Sequence, residues 1–418
     1  MIPSRIERMP VQSVGKNSRI AIGKRAPSFQ ASEEGYDGMP QSSYEAHGQQ
    51  HKGMDFKSFQ LTPSSCNMDN CFHYKRCPIT EPLKFYLHPL PDEKNQSQIS
   101  FNNRNNSLYS VLRMNGQRVD DPEIACISIF IVHGCDEFSL RTTKIAELYE
   151  EGKNHVIWTY CDSANSVVET PKRTTRDMMP KGIPSSAIFI TDVVDREFRL
   201  NFDVLAGHLP SNLGQVELSP LFPLRRKHLA SIVCCDKAAV RHFLSFAGSV
   251  RMFYRSVTEE NECDDETLRT NLLSNSTFSF LILPPEDTSL RQGRNLQRQL
   301  HEMLKLGVIP VVIGTRFLPP FSTVLDWSKV MINIPPGRIS EVRRMLQSIS
   351  DEDILVFKKN GRMLFEKYLS SLEAIADTVL SDLRTRIGLV PTPYEDAHSP
   401  SVYNDTFKVQ FYHVTFGE

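Results

Sequence analysis

Three kinds of residue in this chain are placed to do chemistry: clustered cysteines, asparagines in glycosylation triplets, and one Asp-X-Asp. The nine cysteines are Cys66, Cys71, Cys77, Cys126, Cys135, Cys161, Cys234, Cys235 and Cys263, an odd count that excludes complete internal pairing. The first three lie close together, as in an oxidised cap or a metal site. Gaps of four and five residues and the lack of any Cys-X-X-Cys fit zinc poorly. Buried free thiols are the third reading. Glycosylation triplets begin at Asn95, Asn105, Asn275 and Asn404, and they signal either a lumenal chain or chance in a sequence of this length. Asp351-Glu-Asp353 has the spacing of a manganese-binding carboxylate pair. Its place at a predicted helix start reads instead as a cap, so no metal site and no cofactor are expected.

Composition removes several classes. Lysine plus arginine (48) and aspartate plus glutamate (49) cancel, so no global field draws the chain to nucleic acid or anionic lipid. No GxGxxG, Walker loop, HExxH or nucleophile elbow occurs, which argues against a dinucleotide dehydrogenase, a nucleoside triphosphatase, a zincin or a serine hydrolase. No apolar run reaches the roughly 18 residues of a spanning helix. Residues 1–30 lack the apolar centre of a signal peptide. The sequence as written therefore displays neither anchor nor signal, which stands against its lumenal features.

The elements that must position any site follow an α/β pattern. Residues 1–60 lack an apolar period and read as a disordered tail. Strands are expected at Lys84–His88, Ile124–Val132, His155–Tyr160 and Ala187–Asp192, with a helix over Arg141–Glu151 and a polar loop over Asp92–Asn106. Near-continuous apolar β-formers mark strands buried on both faces. Val216–Lys227 reads as an inter-lobe linker. A second series follows, with strands at His228–Cys234, Val250–Arg255, Phe278–Leu283, Val308–Gly314 and Lys329–Ile334, and a helix over Asn295–Lys305. From Ser350 a long helix runs to Gly388. The expected organisation is a tail to 60, a lobe over 61–220, a lobe over 221–390 and a tail over 391–418 with one possible strand at Phe407–Val414.

Several segments, in order, resemble the exostosins, glycosyltransferase family 47. They are Cys66-Asn-Met-Asp-Asn-Cys71-Phe-His-Tyr-Lys-Arg-Cys77, Lys84-Phe-Tyr-Leu, Ile124-Ala-Cys126, Gly152-Lys-Asn154-His155, Arg199-Leu-Asn-Phe202-Asp203, Asn275-Ser-Thr277-Phe278, Glu302-Met-Leu-Lys-Leu-Gly307-Val-Ile-Pro310, Leu318-Pro-Pro320-Phe321 and Asp326-Trp327. Residues 335–386 look nearest to the exostosin-like-3 branch. Members of that branch usually carry a preceding membrane anchor and a following family 64 domain, and the sequence as written displays neither.

The resemblance implies a GT-B-like α/β fold: two facing Rossmann-like lobes, a nucleotide-sugar cleft and a long C-terminal helix. It implies pairing of Cys66 with Cys71 and of Cys77 with Cys126. It implies endoplasmic reticulum or Golgi residence and sugar transfer from a UDP-sugar to a glycosaminoglycan acceptor of the heparan sulfate type, alone or paired with another exostosin. Glu302 matches a glutamate that accepts ribose hydroxyls, with Gly307 and Pro310 forming the turn behind it. Catalytic residues are left unassigned; His155 and Asp203 lie in matched motifs but read as a strand end and a turn. Two departures stand out: Gln299 replaces an arginine three residues before the glutamate, and Pro284-Pro285-Glu286-Asp287 replaces a basic turn. Arg291, Arg294 and Arg298 are the cations that could compensate, although Arg291 and Arg294 read more simply as a solvated helix start. These departures leave a second expectation beside the enzyme, a degenerate lobe pair serving as a glycan-binding or transferase-complex scaffold. Arg225, Arg226, Lys227, Arg338, Arg343 and Arg344 are candidate sulfated-glycan contacts or ordinary surface charge.

Overall fold

The computed structural model describes residues 66–79, 81–89, 103–133, 150–160, 183–194, 197–209, 218–233, 240, 243, 254–257, 265–283, 290–314 and 317–389. All of them belong to one compact unit, Phe56–Glu418. The expected tails, the Arg141–Glu151 helix except its last two residues, the Phe407–Val414 strand, and Cys135, Cys161, Cys234, Cys235 and Cys263 lie outside the described residues.

The unit begins with a short helix α1 (Met68–Cys71), then β1 (Phe85–Leu87), α2 (Asn103–Met114), β2 (Arg118–Val119), β3 (Ile127–His133), β4 (His155–Tyr160), β5 (Ile188–Thr191) and β6 (Val204–Leu205). These six strands form one parallel sheet in the order β2-β1-β3-β4-β5-β6. Alternate residues of β3 (Ile127, Ile129, Ile131) enter the main core, and Val132 lies in a smaller cluster with Ile157 and Phe189. Apolar weight on both faces is what a parallel sheet covered on both sides demands.

The second series is β7 (His228–Val233), β8 (Tyr254–Val257), α3 (Glu266–Ser274), β9 (Ser276–Ile282), α4 (Leu290–Lys305), β10 (Ile309–Ile313), β11 (Ile332–Ile334), α5 (Val342–Ser348), α6 (Asp351–Leu364) and α7 (Leu372–Ile387). Its five strands are also all parallel, in the order β11-β10-β9-β7-β8. In each sheet the order reverses after the first strand, between β1 and β3 and between β7 and β9. Open α/β sheets hold ligands outside the carboxyl ends of strands at such switch points.

The carboxyl edges of the two sheets meet. Phe321, which follows β10, donates its N–H to the Leu205 carbonyl of β6 at 2.9 Å. Val193, just past β5, lies against Gly293 in the first turn of α4, the helix that follows β9. Helix α6 packs under the second sheet, and α7 returns to α2 and β6 of the first. This is the GT-B-like arrangement.

Several boundaries differ from the expectations, among them α4, which starts five residues early at Leu290, and β8, which spans Tyr254–Val257 rather than 250–255. Helix α2 starts at Asn103, inside the expected polar loop, because Leu108 and Leu112 bury one of its faces. Strand β3 starts three residues late: Ile124 is 56% exposed, outside the sheet. The long C-terminal helix is interrupted. A π turn over Phe365–Leu369 ends its first half, and Ser371, extended at φ −142° and ψ 166°, caps the second by accepting from Ala374 N–H at 3.1 Å. The turn keeps Phe365, Tyr368 and Leu369 buried while the chain crosses between lobes. Gly388 (φ +79°) ends α7, where the αL geometry favours glycine.

Candidate functional site

The site grows from the step out of β9. That strand is buried at every position, and Ser279 pairs within the sheet, its Oγ 3.0 Å from Ser231 Oγ of β7. After it, α4 is amphipathic, with polar residues on every side but the one that meets the core. At about 100° per residue, Asn295, Arg298, Gln299 and Glu302 share an arc of about 100°, while Leu296, Leu300, Met303 and Leu304 face the core. Arg294, Gln297 and His301 occupy the side toward the first lobe and the C-terminal helices.

On the second and third turns of this helix lie buried polar atoms with no hydrogen-bond partner among the described residues: Arg294 Nη1, Asn295 Oδ1, Gln297 Oε1 and Arg298 Nε. Leaving such atoms unmade costs about 1–3 kcal/mol each. Four on two turns of one helix, where two carboxyl edges meet, is a cradle for a polar ligand. Arg294 also gives Nε to Asp192, 3.2 and 2.9 Å from its two oxygens, across the lobes. Gln297 Nε2 donates to Leu318 O at 3.0 Å. His301 is fully buried against Leu369 O, and burial pushes its imidazole down to about 4.

Glu302 stands near the other end of α4. Its carboxylate receives Arg269 of α3 in a fork, Nη2–Oε1 at 2.9 Å and Nε–Oε2 at 3.2 Å. Arg269 is buried and fixes the carboxylate, whose second lone pairs can still accept. The Gln299 departure is softened, because Arg298 sits one turn before Glu302 on the same arc. Gly307 (φ +62°) closes α4: its N–H reaches Leu304 O at 3.0 Å, and Val308 N–H reaches Met303 O at 2.8 Å. Pro310 is buried in β10. Gly314 N–H points to β11, so by alternation the missing N–H of Pro310 also points there, one residue before pairing starts. Both residues occupy the amino end of β10, so their visible task is to stop the helix and start the strand, away from the cradle.

Other expected residues have structural tasks. Asn154 (φ +62°) holds the cysteine-rich segment by donating to His73 O (3.0 Å) and Cys126 O (2.9 Å) and accepting from His73 N–H (2.6 Å). Cys66 with Cys71 and Cys77 with Cys126 form disulfides, with Cα separations of 5.5 and 4.7 Å. Asp203 receives the Arg199 guanidinium and the N–H groups of Arg199 and Phe189, all buried. Asp351, Glu352 and Asp353 fill the first turn of α6 behind the cap Ser350, and Asp351 pairs with Arg225. Arg226 is not a surface contact: it donates to the carbonyls of Leu273, Ser276 and Leu306. Arg225, Lys227, Arg338, Arg343 and Arg344 are exposed. Asn275 caps α3 and Asn105 lies in the first turn of α2. Asn95, Asn404 and residues 284–287 lie outside the described residues, and nothing is described of the Arg291 side chain.

Sequence reasoning missed Asp192, Asn295 and Gln297 as site residues. Asp192 had a signal, since it ends an apolar strand run at the edge where α/β sheets bind ligands. The Glu302–Arg269 pairing had none.

The Exostosin GT47 domain family model matches residues 79–349. The chain belongs to the exostosin family. Exostosin-2 of Bos taurus is 23% identical over 369 residues, covering 80% of this chain and 49% of that protein. The exostosin-like-3 homolog of Caenorhabditis elegans is 24% identical over 351 residues, covering 83% and 37%. This exostosin chain thus spans about half the length, or less, of these relatives. The crystal structure of TarM aligns with 61% of the chain at 14% identity and a TM-score of 0.32, too slight a likeness to support any argument.

Proposed function

We propose that this exostosin domain binds the diphosphate of a UDP-sugar on the second and third turns of α4 and transfers the sugar to a glycosaminoglycan acceptor in heparan sulfate synthesis. The observation that carries this reading is the cluster of unpartnered buried polar atoms at Arg294, Asn295, Gln297 and Arg298. Two guanidinium groups, those of Arg294 and Arg298 in the body of α4, supply the positive charge a departing diphosphate requires. Glu302, held by Arg269, is the residue for the ribose hydroxyls. Two disulfides favour an oxidising lumen, so endoplasmic reticulum or Golgi residence and association with a second exostosin belong to the same proposal.

The test is calorimetric titration of the folded, oxidised protein with UDP, UDP-glucuronate and UDP-N-acetylglucosamine. Saturable binding of one of them, weakened about tenfold or more by Arg298→Ala, is the expected result. No binding by a folded protein would replace this reading with the glycan-binding or transferase-complex scaffold.

A further inference from the structure

The first turn of α4 presses directly on the other lobe. Val193 is 1% exposed, and a Cβ placed on Gly293 would lie 3.7 Å from the Val193 Cβ and overlap its Cγ2. One residue on, Arg294 is 8% exposed and Asp192 7%, and their ion pair bridges the two sheets at 2.9 Å. Asp192 lies one residue past the end of β5, where no strand pairing requires a carboxylate. A buried ion pair of this kind adds little stability compared with apolar packing, so stability alone does not account for it. Arg294 Nη1 meanwhile has no hydrogen-bond partner among the described residues.

We infer that Asp192 is an internal counter-ion: it holds Arg294 and keeps the lobes latched until an anionic diphosphate displaces it. The inference rests on the reading that α4 binds a donor diphosphate. Once the lobes part, a diphosphate can take both Nη1 and the Nε that Asp192 held, and it carries more charge than one carboxylate. Glycine at 293 lets the lobes close this far. Apparent affinity is then the intrinsic affinity multiplied by the unlatched fraction.

Inorganic pyrophosphate and UDP, titrated into wild type, Asp192→Asn and the Asp192→Asn/Arg294→Gln double variant, test the latch. Asp192→Asn is expected to bind pyrophosphate about tenfold or more tightly than wild type, as for a mostly latched resting state, with the gain lost in the double variant. Equal affinity in wild type and Asp192→Asn, or a gain that survives removal of Arg294, overturns the inference. Because Asp192→Asn strips a buried guanidinium of its counter-charge, a second variant keeps the question open to test if that protein does not fold. The 3.7 Å Cβ separation suits a disulfide, so Val193→Cys/Gly293→Cys is expected to lock the lobes on oxidation. Pyrophosphate binding should fall about tenfold or more in the oxidised form and return with dithiothreitol; equal binding in both forms overturns the latch. UDP binding of equal strength in wild type and Asp192→Asn sinks the latch and leaves the donor reading standing. Failure of every form to bind pyrophosphate or UDP sinks both.

Discussion

At the residue scale, several buried polar groups in this chain are held by specific partners. Arg199 and Asp203 are the fullest case. The carboxylate takes the guanidinium at 2.5 and 2.9 Å and two backbone N–H groups, and the guanidinium also reaches the carbonyls of Ser185 and Ala187. Removing one partner strands the other, which costs about 3–5 kcal/mol for a buried pair. Arg199→Ala should therefore lower the unfolding free energy by that amount in a urea titration; a loss under about 1 kcal/mol would mean water replaces the arginine. Histidines give the pH dependence. His88 stacks on Phe130 at 3.5 Å, and burial, assisted by His155, lowers it to about 4; burial lowers His301 to about 4 as well. Both folded values lie below the unfolded 6.5. The unfolded chain therefore takes up protons first as pH falls. Stability is full above about 6.5 and drains away as pH drops toward 4, by about 2 kcal/mol per histidine at pH 5. Urea midpoints at pH 7.5 and 5 should separate in the wild type and converge in a His88→Gln/His301→Gln variant; an unchanged gap would assign the acid sensitivity to other groups.

At the element scale, local signals survive where one residue decides the geometry. Gly307 and Gly388 were legible as helix stops because αL backbone favours glycine, and the strands because parallel sheets bury both faces. The interruption at residues 365–371 was not legible. The apolar spacing continues through it, and the turn is set by Phe365, Tyr368 and Leu369 fitting between two lobes that the sequence does not place. The cradle on α4 was half legible: its arginines were visible, but their partner Asp192 lies 102 residues away. Asn275 shows how an element restricts chemistry. It is the C-cap of α3, its Nδ2 donates to Asn271 O and Oδ1 at 2.9 and 2.8 Å, and the next two residues are 0% and 1% exposed in β9. Thr277 Oγ1 is already taken by Arg226 N–H at 2.8 Å. An oligosaccharyltransferase that must grip an extended triplet can reach it only before folding. Folded protein offered to that enzyme should stay unmodified at Asn275, and a peptide of residues 270–280 should accept glycan; modification of the folded chain would mean β9 opens at its start.

At the scale of the whole molecule, the question is whether two lobes behave as one. The largest core cluster takes Ile129 and Trp158 from the first sheet, Leu281 and Val312 from the second, and Val379 and Leu383 from α7. A single contiguous core crossed by one helix should unfold in one step, although a chain of this size is beyond the range where two-state behaviour is the rule. The sequence supplies its own probes. Its two tryptophans are Trp158 in β4, 1% exposed, and Trp327 after β10, 4% exposed with Nε1 donating to Pro320 O at 2.8 Å. Trp158→Phe leaves a reporter of the second lobe, and Trp327→Phe one of the first. After correction for each variant's own stability, fluorescence should report one transition coincident with circular dichroism in both. Leu383→Ala, at 0% exposure, should then move both reporters together by about 2–5 kcal/mol. Separate midpoints, or a Leu383→Ala effect confined to one tryptophan, would mean that α7 is docked on one lobe and the cleft is a hinge between independently folding halves. Coincidence would instead mean that the ion pair at Asp192 works against a rigid frame, where breaking one contact shifts the lobes as bodies.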